Sequence, residues 1–361
     1  MRYGSVCSGI EAATVAWRHL GWECAFVSEI DAFASAVLKE RLPAVPNLGD
    51  FTKIRPGDYG GDIDLLVGGT PCQAFSKAGL RKGLEDERGN LALEFAGLAF
   101  RTHARWVVWE NVPGVLSSGG GRDFAIFLSK LAGWRVPVPK GGWKKAGLLT
   151  GAPGCFSVGW RVLDAQYTRV QQFPRAIPQR RKRLVLAGHL GDWGYVRGVF
   201  FDGEMCGGYS PPGRDKEGSA AKGTGGGSCE CIPLDLTNLD GRTRHLKGKC
   251  YDDVVPSAYT ITRRRPSGVC VNGKVRMLTP VECERAMGFP DGYTSIAWHG
   301  RDAAHCPRWS RYRALGNTMN VNVMAWVGER IDAVDKENFD GRQQTCGTGG
   351  EDARTAEGGR G

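Results

Sequence analysis

Residues 3–29 read YGSVCSGIEAATVAWRHLGWECAFVSE, and this stretch decides the fold class. Its apolar run Tyr3–Cys7 is short and rich in strand-forming residues, as is the run Ala25–Ser28 near its end. Between them, Glu11–Leu20 carries apolar residues at intervals of three and four, which is the spacing of a helix. A strand, a helix and a second strand in this order are typical of a βαβ unit with parallel strands. The sequence therefore predicts a Rossmann-like, doubly wound α/β sheet.

The same alternation continues through the first half of the chain. We predict further strands at Leu65–Gly68, Trp106–Glu110, Trp160–Asp164 and Leu184–Gly188, and further helices at Ala32–Arg41 and Leu91–Arg101. From about residue 190 the chain becomes rich in Gly, Ser and Pro. We therefore expect loops and short strands there instead of more sheet.

Helical patterning returns near the end of the chain. Thr279–Met287 begins with a candidate N-cap, Thr279, followed by Pro280 at the first helical position. A second helix is predicted at Val321–Val334. Residues 336–361 contain too little apolar surface to pack, so we expect a disordered tail.

Length and composition limit the possible classes of protein. The 361 residues allow a large domain with a smaller one, and the net charge of +10 favours a polyanionic partner. The 12 cysteines are spread along the chain, no signal peptide precedes them, and no apolar run reaches the roughly 18 residues of a membrane span. We expect a soluble protein from a reducing compartment, with no membrane partner. Because paired C-x-x-C spacing is missing, we also expect no metal.

The loop after the first strand is a candidate ligand site. It reads Ser8-Gly9-Ile10-Glu11, and the next strand ends at Glu29. A glycine lets a ligand approach the backbone, and an acid at the neighbouring strand tip can bind ribose hydroxyls. This arrangement suits an adenosine ligand, although a structural turn explains a single glycine equally well. The full G-x-G-x-x-G is missing, which disfavours a dinucleotide.

A candidate nucleophile follows the strand Leu65–Gly68. The segment Thr70-Pro71-Cys72-Gln73 stands at that strand's carboxyl end, where ligands of such sheets bind. The neighbouring strand ends in Glu110, so we expect a carboxylate beside Cys72. Most cysteines are buried and inert. A cysteine paired with a carboxylate nevertheless suits covalent attack on an electron-poor ring, with the acid contacting a ring nitrogen.

A cationic run, QRRKR at residues 179–183, leads into the strand Leu184–Gly188. It is either a solvated charged face or a surface that binds phosphates or a target base. We favour the second interpretation, because the run borders the strands that carry Cys72 and Glu110.

Six motifs in this chain resemble, in residue type and order, those of the cytosine-5 DNA methyltransferase family of bacteria and phages. They are Ser8-Gly9-Ile10, Gly69-Thr70-Pro71-Cys72-Gln73-Ala74-Phe75-Ser76, Glu110-Asn111-Val112, Gln179-x-Arg181-x-Arg183, Leu278-Thr279-Pro280-x-Glu282-Cys283-x-Arg285-x-x-Gly288-Phe289-Pro290 and Gly316-Asn317-Thr318. The resemblance covers about residues 2 to 325, with a region between that has no clear motif.

The resemblance implies a class I S-adenosylmethionine-dependent methyltransferase fold with a smaller, irregular target-recognition domain. The catalytic domain would comprise residues 1–189 and 305–335, and the target-recognition region with a connecting helix would comprise residues 190–304. It also implies S-adenosylmethionine as cofactor and double-stranded DNA as partner. We expect a monomer in the cytoplasm of a bacterium or of a phage-infected cell.

The same resemblance assigns roles to individual residues. Cys72 would add to C6 of a flipped-out cytosine, Glu110 would contact N3 and the exocyclic amine, and Arg181 would orient the base. The implied cofactor-binding residues are Ser8, Gly9, Ile10, Glu11, Glu29, Ile30, Asp50, Phe51, Asn317 and Thr318. The implied DNA-binding residues are Gln73, Ser76, Arg183, Arg263, Arg264 and Arg265. The helix after residue 320 would fold back onto the first domain.

The chain departs from the family pattern in several places. Cys7 stands where the family usually has phenylalanine, and Glu11 stands where it usually has a second glycine. The segment Tyr167–Pro178 is longer than the usual link. An insertion, Gly133–Gly159, precedes the strand Trp160–Asp164, and its glycine patterns predict ordered loops.

Three other functions compete with this prediction. A cytidine deaminase would need a cysteine three residues after Cys72, where the chain has Phe75. An RNA cytosine-5 methyltransferase of the same fold would share the catalytic motifs. An inert DNA-binding relative is disfavoured because Cys72, Glu110 and Arg181 are all present.

Overall fold

The computed structural model describes residues 1–71, 91–170, 179–201, 231–234, 268–271 and 274–347. A seven-stranded sheet forms its centre. The strands are β1 (Arg2–Val6), β2 (Glu23–Ser28), β3 (Leu65–Gly68), β4 (Trp106–Asn111), β5 (Ala146–Leu149), β6 (Phe156–Asp164) and β7 (Lys182–Leu190). Their order across the sheet is β2-β1-β3-β4-β7-β6-β5. All six predicted strands are confirmed, and β5 was not predicted.

The direction of the strands changes in the middle of the sheet. β2, β1, β3 and β4 are parallel, whereas β7 is antiparallel to both β4 and β6. The prediction of a parallel sheet is therefore wrong for the β7 side, because an apolar run predicts a strand but not its direction. As a consequence, β7 begins at the edge where β4 ends, and Asn111 pairs with Leu184.

Eight helices surround the sheet in the described ranges. They are α1 (Ala12–Trp17), α2 (Ala32–Arg41), α3 (Leu91–Arg101), α4 (Arg122–Ala132), α5 (Trp193–Phe201), α6 (Pro280–Met287), α7 (Arg308–Asn317) and α8 (Val321–Gly347). The Thr279 side chain caps α6 by accepting from the Glu282 amide at 3.2 Å, and the Glu282 carboxylate accepts from the Thr279 amide at 2.7 Å. This capping box confirms the predicted start of the helix.

Three parts of the helical structure differ from the prediction. The helices α4 and α7 were not predicted, and α5 stands where loops and short strands were expected. The last helix, α8, continues to Gly347. The prediction of a disordered tail is therefore wrong for residues 336–347. Once the first turns of a helix are packed, each further residue adds a hydrogen bond at little cost in free energy, and here Lys336 also pairs with Asp332 at 2.7 Å. Residues 348–361 lie outside the described residues, and the domain boundaries stay predictions.

Two apolar layers cover the two faces of the sheet. Along β4, Trp106 and Val108 belong to one core cluster, and Val107 and Trp109 belong to the other. The first cluster includes residues of α1, α2, α5, α6, α7 and α8, and the second includes residues of α3 and α4. Because successive strand residues point to opposite faces, this alternation confirms the doubly wound architecture.

The end of the chain returns to its beginning, as predicted. The Trp17 indole nitrogen donates to the Met324 carbonyl at 2.7 Å. A side chain at Gly328 would collide with the Trp17 ring, since an added Cβ would lie 2.2 Å from the indole nitrogen. The first turns of α8 therefore pack directly against α1.

A second sheet contains β8 (Cys231–Leu234), β9 (Gly268–Val271) and β10 (Lys274–Met277). Its order is β10-β9-β8, and both pairings are antiparallel. These short strands agree with the prediction for residues 190–275. Over the described residues, no helix is both long and apolar enough to cross a bilayer.

Candidate active site at the carboxyl edge of the sheet

The predicted motif residues share one edge of the large sheet. Gly9 follows β1, Thr70 follows β3, and Glu110 stands next to the last residue of β4. Arg183 joins them because it stands at the start of the antiparallel strand β7. The prediction of a shared edge is confirmed for Gly9, Thr70, Glu110 and Arg183, whereas Cys72 lies outside the described residues.

The loop after β1 is tied to the end of β2. The Ser8 hydroxyl donates to the Ser5 carbonyl and accepts from the Ser28 amide, each at 3.0 Å. Gly9 has a φ of 57°, a conformation that favours glycine, and its amide donates to the Glu29 carboxylate at 2.8 Å. The loop is therefore fixed, and Gly9, which has no side chain, lies next to the carboxylate of Glu29.

Three backbone amides hold the Glu29 carboxylate at the strand tip. Besides Gly9, the amides of Ile30 and Asp31 donate to it, at 2.9 and 2.7 Å. A carboxylate has about four acceptor sites, so it can accept a further hydrogen bond from a ligand hydroxyl. The Ile30 side chain beside it is 79% exposed, which leaves an apolar surface free for a planar ring.

Glu11 has a structural role that the sequence did not indicate. Its side chain is 1% exposed, accepts from the Ser5 hydroxyl at 2.6 Å and caps α1 through the Thr14 amide at 3.1 Å. Burial raises the pKa of Glu11 to about 7. The Glu11 amide donates to the Ser8 carbonyl at 2.9 Å, so this residue is engaged within the protein and not turned toward a ligand.

Three other predicted cofactor residues are also bound within the fold. The Ile10 side chain is 0% exposed, and its carbonyl accepts from the Tyr293 hydroxyl at 3.0 Å. Phe51 is buried in the core, while Asp50 caps the short turn after it by accepting from the Thr52 amide at 3.1 Å. This hydrogen bonding lowers the pKa of Asp50, led by the Thr52 hydroxyl. The Asp50 carboxylate remains partly exposed and can still meet a ligand.

The segment leading to the predicted nucleophile is anchored from β4. The Trp109 indole donates to the Thr70 hydroxyl, and the Asn111 amide nitrogen donates to the Thr70 carbonyl, each at 3.0 Å. A Cβ on Gly69 would lie 3.4 Å from the Glu110 carbonyl oxygen. These contacts fix the backbone two residues before Cys72, which itself lies outside the described residues, as do Gln73 and Ser76.

Glu110 is a buried carboxylate with an ion-pair partner. It is 9% exposed, and its Oε1 lies 3.0 Å from the Nε of Arg183. Within the described part of the chain, that Oε1 accepts no hydrogen bond of good geometry. Buried oxygens are nearly always hydrogen-bonded in native proteins, so this one marks a place for a ligand donor.

Arg181 and Arg183 have different partners within the fold, and their predicted contacts with the base and with DNA stay predictions. Arg183, expected to contact DNA, pairs with Glu110. Arg181, expected to orient the base, is 2% exposed and donates to the Thr318 carbonyl at 2.6 Å. Burial, with the nearby charge of Arg183, lowers the pKa of Arg181 to about 9. Arg181, which directly precedes β7, thus joins the start of that strand to the segment Gly316–Thr318.

That far end closes the site beside the first loop, as expected for Thr318. Thr318 is 3% exposed, and a Cβ on Gly9 would lie 3.7 Å from its Oγ1. The described residues offer the buried Thr318 hydroxyl no hydrogen-bond partner. Asn317, at the end of α7, is exposed.

The sequence missed several residues that build the site. Trp109 and Asn111 anchor Thr70, and the Met319 Cε methyl group would lie 3.1 Å from a Cβ on Gly69. Asn111 was part of a quoted motif, but nothing in the sequence showed which carbonyl it would bind. Residues 263–265 lie outside the described ranges. Across the described chain, no group of three or more His, Cys, Asp or Glu side chains is placed to hold a metal ion.

A family model described as C-5 cytosine-specific DNA methylase matches residues 1–138 and 230–333. The chain belongs to this family. The first matched segment contains the Gly9 loop and Glu110, and the second contains Thr318, so the family match includes both sides of the site.

Two relatives show how far the chain's likeness to known proteins extends. The DNA N-6-adenine-methyltransferase of Escherichia phage P1 is 32% identical over 465 residues, covering 91% of this chain and 61% of that protein. The type II methyltransferase M.DsaV of Dactylococcopsis salina is 25% identical over 338 residues, covering 92% of this chain and 86% of that protein. The chain therefore spans less than two thirds of the phage P1 protein.

Solved structures show the same fold. The S. pombe Dnmt2 methyltransferase superposes with a TM-score of 0.55 at 17% identity, covering 94% of this chain and 99% of that chain. The mixed seven-stranded sheet with helices on both faces is the class I S-adenosylmethionine-dependent methyltransferase fold predicted from the sequence.

Proposed function

We propose that this C-5 cytosine-specific DNA methylase transfers a methyl group to C5 of a flipped-out cytosine in duplex DNA, with Cys72 as nucleophile. The observation that carries the proposal is the buried Glu110 carboxylate beside the anchored Thr70. Among the described residues, its Oε1 accepts no hydrogen bond, and in the sequence Cys72 follows Thr70 by two residues.

The residues near Gly9 fit an adenosine cofactor. Glu29 offers a held carboxylate for ribose hydroxyls, and Ile30 offers an exposed apolar side chain. The buried Thr318 hydroxyl has no hydrogen-bond partner among the described residues. S-adenosylmethionine, when bound there, would supply an electrophilic methyl group. The positions of Ser8, Gly9 and Asp50 agree with this role, whereas the Ile10, Glu11 and Phe51 side chains act through the fold.

In the proposed reaction, the Cys72 thiolate forms a bond to C6 of the cytosine. Glu110 contacts N3 and the exocyclic amine and stabilises the negative charge that moves into the ring. The electron pair at C5 would then form the new C5–CH₃ bond while the bond between the methyl carbon and the sulfonium sulfur of the cofactor breaks, so that the thioether S-adenosylhomocysteine leaves. A base removes the C5 proton, the C5–C6 double bond re-forms, and the thiolate of Cys72 leaves. Arg183 holds Glu110 in place for these steps, and Arg181 holds the Gly316–Thr318 segment.

The substrate and setting follow from charge and relatives. A net charge of +10 suits a phosphate backbone, which supplies most of the non-specific affinity of DNA-binding proteins. Arg263, Arg264 and Arg265, with Gln73 and Ser76, remain the proposed DNA contacts. We place the enzyme, as a monomer, in the cytoplasm of a bacterial or phage-infected cell, in keeping with the sources of the two relatives.

A second candidate reaction is methylation of adenine N6, because the phage P1 relative carries that name. An exocyclic amine attacks an electrophilic methyl group directly, so that reaction needs no covalent bond to cysteine. An RNA cytosine substrate would retain the covalent step.

The test is trapping on duplex DNA that contains 5-fluorocytosine, whose C5 substituent cannot leave as a proton. Wild type should form a denaturation-resistant adduct in the presence of S-adenosylmethionine, and Cys72→Ala should form none. Cys155→Ala is the matched control and should trap normally, because Cys155 precedes β6 at the opposite edge of the sheet. An adduct that survives Cys72→Ala contradicts the nucleophile. Methyl transfer to adenine without any adduct supports the second reaction, and an adduct with RNA alone changes the substrate.

A further inference from the structure

The insertion Gly133–Gly159 builds an ordered extension at the outer end of the large sheet. A tight turn forms where the Gly142 amide donates to the Pro139 carbonyl at 2.9 Å, with Gly141 and Gly142 both at positive φ. The strand β5 follows and pairs with β6, placing Ala146 opposite Arg161. The insertion is therefore more than the ordered loops that its glycines predict, since it adds a strand.

Aromatic side chains hold this extension rigidly. The Trp143 ring meets Phe124 and Trp160 edge to face, at centroid distances of 5.2 and 5.6 Å. The Trp143 indole donates to the Gly121 carbonyl at 2.8 Å, and the Trp160 indole donates to the Lys144 carbonyl at 3.1 Å. The backbone that carries Lys144 is thus fixed on both sides.

Strand directions place this backbone at the edge of the active site. Since β5 is antiparallel to β6, it begins where β6 ends, and the Val162 amide donates to the Lys145 carbonyl at 2.7 Å. Three strand spacings separate β4, which carries Glu110, from β5. At about 4.8 Å per spacing, Lys145 stands roughly 14 Å from Glu110 along the edge.

The extension presents positive charge that the described protein does not neutralise. Lys140, Lys144 and Lys145 are exposed, and none forms an ion pair with a carboxylate of the described residues. The nearby acids are already engaged. Asp123 accepts from the Ser118 hydroxyl, and Asp164 accepts from the Arg181 amide at 2.9 Å.

We propose that Lys140, Lys144 and Lys145 bind the phosphate backbone of the substrate duplex about four base pairs from the flipped cytosine. The distance follows from roughly 14 Å along the edge and a rise of about 3.4 Å per base pair. Such contacts position the duplex without reading its sequence. A rigid backbone suits this role, because only the lysine side chains have to be ordered on binding. The inference rests on the proposed function and extends its DNA interface to the insertion.

The first experiment compares Lys144→Gln/Lys145→Gln with wild type in DNA binding at several salt concentrations. Each lost phosphate contact should make the negative slope of log K against log salt shallower by about 0.9. The slope of the double variant should therefore be shallower than that of wild type by about 1.8. Lys39→Gln/Lys130→Gln removes the same charge from exposed lysines in the last turns of α2 and α4, at the opposite edge, and should keep the wild-type slope. Equal slopes for wild type and Lys144→Gln/Lys145→Gln overturn the proposal.

A second experiment tests the position of the contact. Single phosphates three to five base pairs from the target, on either side, are replaced by neutral methylphosphonates. At one position the replacement should weaken DNA binding by wild type and leave DNA binding by Lys144→Gln/Lys145→Gln unchanged. If every replacement weakens DNA binding equally for both proteins, the proposal is contradicted. Failure of the proposed function is distinct, since it would remove cytosine methylation and the trapped adduct from wild type itself.

Discussion

Two buried glutamates stand in opposite situations. Glu110, at the carboxyl edge of the sheet, has one ion-pair partner and an Oε1 without a hydrogen bond in the described chain. Glu284, in α6, is 0% exposed and accepts from the Gly292 amide at 2.7 Å, from the Thr294 amide and hydroxyl, and from Arg311 at 2.8 Å. Both are buried charges, but only the second is saturated.

The difference separates a binding site from a scaffold. A saturated buried carboxylate such as Glu284 fixes its loop and leaves nothing for a ligand, whereas Glu110 retains acceptor capacity at an edge where the chain also presents Gly9 and Thr318. If this interpretation is right, substitutions at the two glutamates should damage different properties.

The largest expected effect is on the activity of Glu110→Gln. Loss of the charged acid should lower kcat by about 10²- to 10⁴-fold, because its acid–base and electrostatic contributions at the ring nitrogen disappear. Thermal unfolding should change less than in a variant that removes the carboxylate of Glu284, because Arg183 keeps some contact with solvent and Glu110 accepts no well-aligned hydrogen bond from the described residues. Steady-state methylation and calorimetry on the same sample measure both. A variant that unfolds early but methylates normally once folded would break the comparison.

Glu284→Gln should show the opposite behaviour. Removing one partner of a buried pair leaves the Arg311 charge uncompensated, so the free energy of unfolding should fall by about 3 to 5 kcal/mol. Activity per folded molecule should remain. Glu94→Gln is the control, because among the described residues Glu94 forms an ion pair only with Arg101, at 3.9 Å on a partly exposed surface. This variant should change stability by less than about 0.5 kcal/mol. Urea denaturation distinguishes them, and equal stability for both variants counts against the account.

Glu11 is intermediate between Glu110 and Glu284 in its hydrogen bonding, because hydroxyl and amide donors contact it but no cation of the described residues pairs with it. Burial raises its pKa to about 7, so the native state holds its proton above the ordinary pKa of 4.5. The unfolded state releases that proton first, and stability therefore falls as pH rises from below 5 through 7. Relative to wild type, Glu11→Gln should gain about 2 kcal/mol between pH 5 and pH 7. Denaturation curves at both pH values measure this gain, and a difference that is independent of pH contradicts it.

The smallest effect is expected at Thr318. If its unpartnered hydroxyl serves the cofactor, Thr318→Val should weaken S-adenosylmethionine binding about 3- to 10-fold and leave stability unchanged or higher. Thr168→Val is the matched control, because the buried Thr168 hydroxyl donates to the Asp164 carbonyl at 3.1 Å. That control should lose stability and keep its affinity. Calorimetric titration decides, and equal affinities for Thr318→Val and wild type exclude a cofactor role for the hydroxyl.

The sequence predicted those parts of the fold that local patterns encode. Short apolar runs gave the six strands, and a cap followed by proline gave the start of α6. Strand direction was missed, since it depends on pairing across the sheet. The strand β5 was missed because it is only half-buried and lies among glycines and lysines. The helix α7 was missed because it is polar along most of its length. Its Arg311 is buried because it forms an ion pair with the buried Glu284.

The site was predicted at the level of motifs but not of contacts. Motif order placed Gly9, Glu110 and Thr318 together, and the fold confirms that meeting. Arg181 and Arg183 are two residues apart in one motif, but they have different partners. Arg181 donates to the backbone carbonyl of Thr318, whereas Arg183 pairs with the carboxylate of Glu110. These partners depend on how the Gly316–Thr318 segment packs against the start of β7. Local sequence patterns do not predict packing between segments that are so far apart in the chain.

The most direct test of the central claim is bisulfite sequencing of DNA from a methylation-free bacterial host that expresses wild type, beside a host that expresses Cys72→Ala. We predict protected cytosines within one short sequence motif in the first host and none in the second. Unprotected cytosines in both hosts, with folded protein present, would contradict cytosine-5 methylation of DNA.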